Sequence, residues 1–153
     1  NSGKVNELIL NQAIDHFGND KYEKSLDVKD FDTSFVKGLS LEDGCATLTK
    51  FTAFLIAQGI EQINYENKVS KTINLICGGG RKNIFLIKNI TDQLDVTKTK
   101  LYNIDDYGFD GDFIESQAFG FLAIRTFLKL PISFPSTTRC KSPTVGGIIN
   151  KNF

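Results

Sequence analysis

Hydrophobic positions along this chain recur with two periods, and each period predicts a kind of element. Between Asn6 and Phe17, Leu8, Ile9, Ala13 and Phe17 fall at helical spacing, which predicts a short amphipathic helix. Ser40 opens the longest helix, running to about Tyr65, with Leu41, Cys45, Leu48, Thr52, Leu55, Gly59 and Ile63 along one face. Ser40-Leu41-Glu42-Asp43 reads as a capping box with Asp in the Glu position. Gly59 offers a place for close packing against a neighbour. From Ile73 to Cys77 the pattern becomes a continuous apolar run broken only by Asn74, as in a parallel strand covered on both faces. Cys77 then reads as a small core residue. Three glycines follow, and then a helix marked by Ile84, Ile87 and Ile90 and widened by Phe85, Leu86 and Leu94. Lys98–Asn103 predicts a second strand. Asp112–Lys129 predicts a last helix, apolar nearly all round and so buried on several sides, with Asp112 and Glu115 in a capping box.

The intervening stretches carry turn chemistry. Gly18 to Leu39 is polar and irregular, a solvated loop with a turn of helix near Asp32–Val36. Ile104 to Gly111 holds Asp105, Asp106, Gly108 and Asp110, where turn formation is favoured over a metal site. The tail carries Pro131, Pro135 and Pro143 and reads as loop, with Gly146–Ile149 as a short extended segment. Strands alternating with helices make the fold class α/β, with few parallel strands packed by helices. Two strands fall short of the usual sheet of about 4–6. The chain therefore reads as part of a larger protein.

Composition narrows the classes. The 153 residues suit one domain or a large piece of one, and the charges balance at 18 against 18. That balance gives no footing to nucleic acid or an anionic membrane surface. No apolar run nears the roughly 20 residues of a membrane span. Cys45, Cys77 and Cys140 are odd in number, lack metal spacing and read as reduced thiols of a cytoplasmic protein. His16, the only histidine, reads as a surface or capping group.

The candidate chemistry centres on Gly78, Gly79 and Gly80. A strand end followed by a turn without Cβ atoms and then a helix lets a flat ligand approach the backbone. The spacing is neither the Walker pattern, since no Gly-Lys-Ser/Thr follows, nor GxGxxG, since Asn83 holds the sixth position. A tight turn without a ligand is the alternative on local pattern alone. A Rossmann site would need an acid about 20 positions on. Asp95 lies near that distance but precedes the second strand. Glu115 is either a capping residue or a carboxylate facing a cleft.

Several segments in order then carry a resemblance. They are Gly3-Lys4-Val5-Asn6, Lys24-Ser25, Cys77-Gly78-Gly79-Gly80 with Asn83, and Asp105 with Gly108. After them come Glu115, Ala118, Phe119, Leu122 and Ala123, then Leu130-Pro131, Pro135-Ser136 and Pro143-Thr144-Val145-Gly146-Gly147. Nearly the whole chain so resembles the C-terminal part of the anhydro-N-acetylmuramic acid kinases, of the sugar kinase, heat-shock protein and actin superfamily. Ser116, Val28, Arg139 and Cys140 depart from the family pattern.

The resemblance implies two RNase H-like domains closing on nucleotide, with residues 1–153 as the C-terminal, nucleotide-side subdomain. It implies ATP and Mg2+ as cofactors, and an activity that opens a 1,6-anhydro ring while phosphorylating O6, in peptidoglycan recycling. Gly78, Gly79, Gly80 and Asn83 would contact nucleotide, packing on its adenosine, and Glu115 would contact sugar. The aspartate base would lie upstream, so no catalytic residue is expected here and the chain alone is expected to be inactive. Its partners would be small-molecule sugar and nucleotide, and a second copy pairing at an exposed sheet edge. The rival reading is a non-catalytic nucleotide-binding or interaction module of the same superfamily.

Overall fold

The computed structural model describes residues 3–17 and 28–150. Lys24 and Ser25 lie outside the described residues. The chain forms two compact units, Asn1–Asn103 and Ile104–Phe153.

In the first unit, helix α1 (Glu7–Phe17) begins where the Asn6 side chain accepts the Ile9 N–H at 3.1 Å. That bond satisfies a donor that helix geometry leaves orphaned. Helix α2 (Leu41–Glu66) begins at Ser40, whose Oγ accepts the Asp43 N–H at 3.1 Å, as the sequence predicted. The Asp43 carboxylate accepts the Lys4 N–H at 2.7 Å, and Thr47 Oγ1 accepts the Asn6 N–H at 3.0 Å. The chain entering α1 is thereby tied to the first turns of α2. Gly3 runs so close to Glu42 that a Cβ there would collide with its carbonyl oxygen.

Helix α2 is the spine of this unit. One side buries Phe51 and Leu55 against Leu10 and Ala13 of α1. Phe35 packs edge-on against Phe51 at 5.1 Å, and Phe17 stacks on Phe31 at 5.4 Å, geometries that suit aromatic quadrupoles. The other side buries Ala53 and Ala57 against Ile90 and Leu94, with Leu86, Ile87 and Leu101 alongside. The two alanines give the close approach expected of Gly59; a Cβ at Gly59 would meet nothing within 4 Å.

Strands β1 (Thr72–Ile76) and β2 (Thr99–Asn103) pair in parallel, in register from Thr72↔Thr99 to Ile76↔Asn103. Helix α3 (Ile84–Thr91) connects them, ending before Leu94, which is buried in the turn beyond it. Two parallel strands with helices make the unit α/β, as the alternating pattern predicted. The reading of β1 as covered on both faces is corrected. Its residues alternate, with Thr72, Asn74 and Ile76 turned inward and Ile73 and Leu75 remaining 64% and 47% exposed. Cys77 lies past the strand and is exposed, so it is not a core residue. Asn74, which interrupts the apolar run, holds its Nδ2 buried without a hydrogen-bond partner.

The amino-terminal end of this sheet is closed by polar side chains. Asn64 Nδ2 donates to Thr72 Oγ1 at 3.2 Å and to Thr99 Oγ1 at 3.1 Å. Thr99 Oγ1 donates to Glu61 Oε1 at 3.1 Å, and Thr99 is 2% exposed. Asp95 fixes the turn into β2 by accepting from the Thr97 N–H and hydroxyl at 3.0 and 2.6 Å. Lys98 pairs with its carboxylate at 2.9 Å. Asp95, the acid weighed for a Rossmann site, is thus occupied by a turn.

In the second unit, Asp105 accepts the Gly111 N–H at 2.7 Å and Asp110 accepts the Asp112 N–H at 3.0 Å. The aspartates perform the turn chemistry that their pairing with glycine predicts. Helix α4 (Ile114–Phe127) starts after Phe113, which makes no side-chain cap bond, so the N-cap falls one residue beyond the Asp112 that the sequence predicted. The expected burial of α4 on several sides is also corrected, since Phe119, Phe121, Ile124 and Phe127 are 59–71% exposed. A single 14-residue helix with a looped tail has too little chain to wrap every side. The tail is held by Arg125, whose Nε donates to the Pro131 carbonyl at 2.7 Å while its guanidinium lies over the rings of Phe121 and Phe134. Thr126 Oγ1 donates to the Gly146 carbonyl at 2.8 Å. A short helix, α5 (Pro135–Thr138), starts on a proline whose fixed φ suits a first helical position. Ser133 and Thr144 form an isolated antiparallel bridge, while the extended segment expected at Gly146–Ile149 forms no strand.

Candidate functional site

The carboxyl end of β1 runs straight into the glycine turn. Gly78 has φ 76° and ψ 176°, a conformation that a Cβ would strain. Gly79 opens a single turn of 3-10 helix reaching Lys82, and Asn83 then caps α3, its Oδ1 accepting the Leu86 N–H at 3.1 Å. A Cβ at Gly78 or Gly79 would meet nothing within 4 Å, so the space above the turn is open. At Gly80 it would make ordinary contact with Leu86. The turn therefore offers bare backbone at a strand end, as the sequence predicted.

Arg81 is the residue that sequence reasoning passed over. It is 9% exposed, and its Nη1 donates to the Gly78 carbonyl at 3.0 Å. Its own backbone N–H reaches the same oxygen at 3.3 Å. A guanidinium directly after three glycines reads from sequence as a solvated charge, and only the fold turns it inward.

Two shallow clefts meet at Asn83. One, of about 430 Å³, is lined by Leu41, Cys45, Ala46 and Thr49 of α2 together with Asn83 and Phe85. The other, of about 420 Å³, is lined by Lys82, Asn83, Ile84, Phe85 and Lys88. Gly78, Gly79, Gly80 and Asn83 are thus brought together on one edge of the first unit, with two lysines near. Glu115 belongs to the second unit, where it is exposed in the first turn of α4.

The titration shifts belong to turns elsewhere. Hydrogen bonds from Thr97, with Lys98 beside them, lower the Asp95 pKa to about 2. Those bonds hold the carboxylate charged, and the same pairing raises Lys98. Asp32 is lowered by the Ser34 N–H and hydroxyl, which it accepts at 2.7 and 2.8 Å. His16 borders a separate hollow of about 280 Å³ with Phe17, Asp32 and Phe35. Among the described residues no group of three or more His, Cys, Asp or Glu converges to hold a metal ion. Among them, too, no helix is long and apolar enough to cross a membrane.

Residues 2–152 match the family model described as anhydro-N-acetylmuramic acid kinase. A protein of that name from Pelagibacter ubique is 54% identical over 156 residues, covering 100% of this chain and 41% of the relative. Anhydro-N-acetylmuramic acid kinase 2 of Jannaschia sp. is 38% identical, covering 96% of this chain and 37% of its own. The Zymomonas mobilis protein is 41% identical, covering 83% and 33%. The chain spans about two fifths of the length of the curated relatives it matches, and corresponds to the C-terminal part of the Pelagibacter protein. From Gly3 to the closing Gly146-Gly147, this chain belongs to the anhydro-N-acetylmuramic acid kinase family.

Proposed function

We propose that this chain is the C-terminal, nucleotide-side part, over residues 1–153, of an ATP-dependent kinase that converts 1,6-anhydro-N-acetylmuramic acid to N-acetylmuramic acid 6-phosphate in the cytoplasm. The observation that carries this reading is the open glycine turn at the carboxyl end of β1, within a chain of this family. A parallel strand's carboxyl end is where α/β folds bind ligands. On this reading the parallel pair with its helices is part of an RNase H-like domain. Gly78, Gly79 and Gly80 lie against the nucleotide, and Asn83 lines its edge while capping α3. The clefts beside Asn83 give room for it, and Lys82 and Lys88 add positive charge.

Glu115 is proposed as the sugar-side carboxylate. It is exposed in the first turn of α4, where a carboxylate is open to a ligand. Mg2+ is proposed to arrive with ATP, since among the described residues no group of three or more His, Cys, Asp or Glu converges to hold it. The base and the phosphate-gripping loop belong to the remaining family length. Phosphoryl transfer needs those groups positioned together, so this chain alone turns over neither substrate. The open edges of a two-stranded sheet support self-association as a homodimer.

Gly79→Val in the full-length protein is the test. It adds bulk in open space, so the fold should stand while ADP affinity falls at least about tenfold, or about 1.4 kcal/mol. Calorimetry finding unchanged ADP binding in a folded variant would remove the turn from the site. Product formed by residues 1–153 alone, seen by mass spectrometry, would overturn the division of roles.

A further inference from the structure

We propose that Arg81 is a positioning residue, which locks the Gly78–Gly79 peptide so that the Gly79 N–H faces the bound nucleotide as a fixed donor. The inference rests on the nucleotide reading of the turn. Its geometry begins at the Gly78 carbonyl, which accepts from Arg81 twice, at 3.0 Å from Nη1 and at 3.3 Å from the backbone N–H. A trans peptide is planar, and its carbonyl and N–H point in opposite directions. With the oxygen held inward on Arg81, the Gly79 N–H must point the other way. Gly79 is exposed, and the space above it is open.

Such a lock has a purpose at this place. Both residues flanking the peptide are glycines, which adopt positive and negative φ with similar ease. An unheld Gly-Gly peptide can flip, turning a carbonyl toward the ligand in place of a donor. A nucleotide bound to the flipping turn would have to select one orientation and bear the ordering entropy. Arg81 meets that requirement before binding, because the residue is only 9% exposed and its guanidinium is held on the Gly78 carbonyl. A lysine could supply charge and three rotatable donors, but not a planar, pre-organised group.

The test compares Arg81→Ala and Arg81→Lys with the unaltered full-length protein. The first readout needs no ligand: the Gly79 amide resonance, selectively labelled with 15N, in nucleotide-free protein. In Arg81→Ala it should broaden or shift through exchange between the two orientations. The second readout is ADP affinity by calorimetry, expected to fall about fivefold to tenfold. The KM for ATP should rise while the KM for the sugar stays put. Arg81→Lys should recover part of the affinity and, if Arg81→Ala does not fold, carries the comparison alone. A Gly79 amide unchanged in the variant, or an ADP affinity within about twofold of the original, overturns the lock. If the unaltered protein binds no ADP, the nucleotide reading fails and the proposed ligand with it. The amide signal then decides the lock by itself.

Discussion

The two ends of the parallel pair are built in opposite ways. At the amino-terminal end, Asn64, Thr72, Thr99 and Glu61 spend their polar groups on one another, and Asp95 spends its carboxylate on the turn into β2. At the carboxyl-terminal end Gly78 and Gly79 bring no side chains at all. Arg81, the buried charge there, is turned onto the backbone. One end is saturated and the other is bare but rigid. A buried polar group without a partner costs stability, so saturation stabilises the fold. A bare rigid backbone contributes little to stability and leaves donors for a ligand. On the proposed reading, the contrast assigns stability to one end and ligand recognition to the other.

The largest way to break that contrast is Thr99→Val. It removes the hydroxyl that accepts from Asn64 and donates to Glu61, and should cost about 1–3 kcal/mol in urea unfolding. ADP affinity should not follow. Affinity lost in proportion to stability would mean that the two ends are not separable.

Asn83 sits where both demands meet, and a smaller effect sharpens the comparison there. Asn83→Ala removes the cap of α3 and should cost about 1 kcal/mol. Asn83→Asp keeps a capping oxygen and should keep the stability. If its ADP affinity nevertheless drops, Asn83 touches ligand as well as helix. If stability and affinity both survive, it is a cap and nothing more.

The smallest effect lies at Asp95. Its pKa is lowered to about 2 from 3.8, so its contribution to stability is complete above pH 3.8 and fades as pH falls through 2. A carboxyl-carbon NMR titration should place its midpoint near 2, and Asp95→Asn should flatten the acid limb of stability between those values. A midpoint at the ordinary 3.8 would show that Thr97 does not hold the carboxylate in solution.

Much of this was legible in the sequence, for reasons that differ by residue. Helix α2 was readable because its apolar steps and the Ser40 cap are local signals, and both strands came within one residue of their predicted bounds. The glycine turn was readable because the absence of Cβ atoms is itself written in the sequence. Arg81 was not, because a charge reads as exposed until the fold supplies a carbonyl for it to reach. Ile73 and Leu75 misled for the opposite reason: a continuous apolar run looks doubly covered whether or not anything covers the second face. The start of α4 fell one residue later than the Asp112 cap predicted, in a stretch where Asp110 already accepts the Asp112 N–H.

The knot at the closed end also sets an order of assembly. Asn64 and Thr72 are 8 residues apart, while Thr99 meets Thr72, Asn64 and Glu61 across 27, 35 and 38 residues. Closing a longer loop costs more chain entropy, so the short contact can form while β2 is still unpaired. By the same entropy, the contacts of Thr99 are expected to form last and to fasten strands and helix together. A late fastener holds the unfolding rate down more than it speeds folding. Thr99→Val should therefore speed unfolding of this unit more than it slows folding.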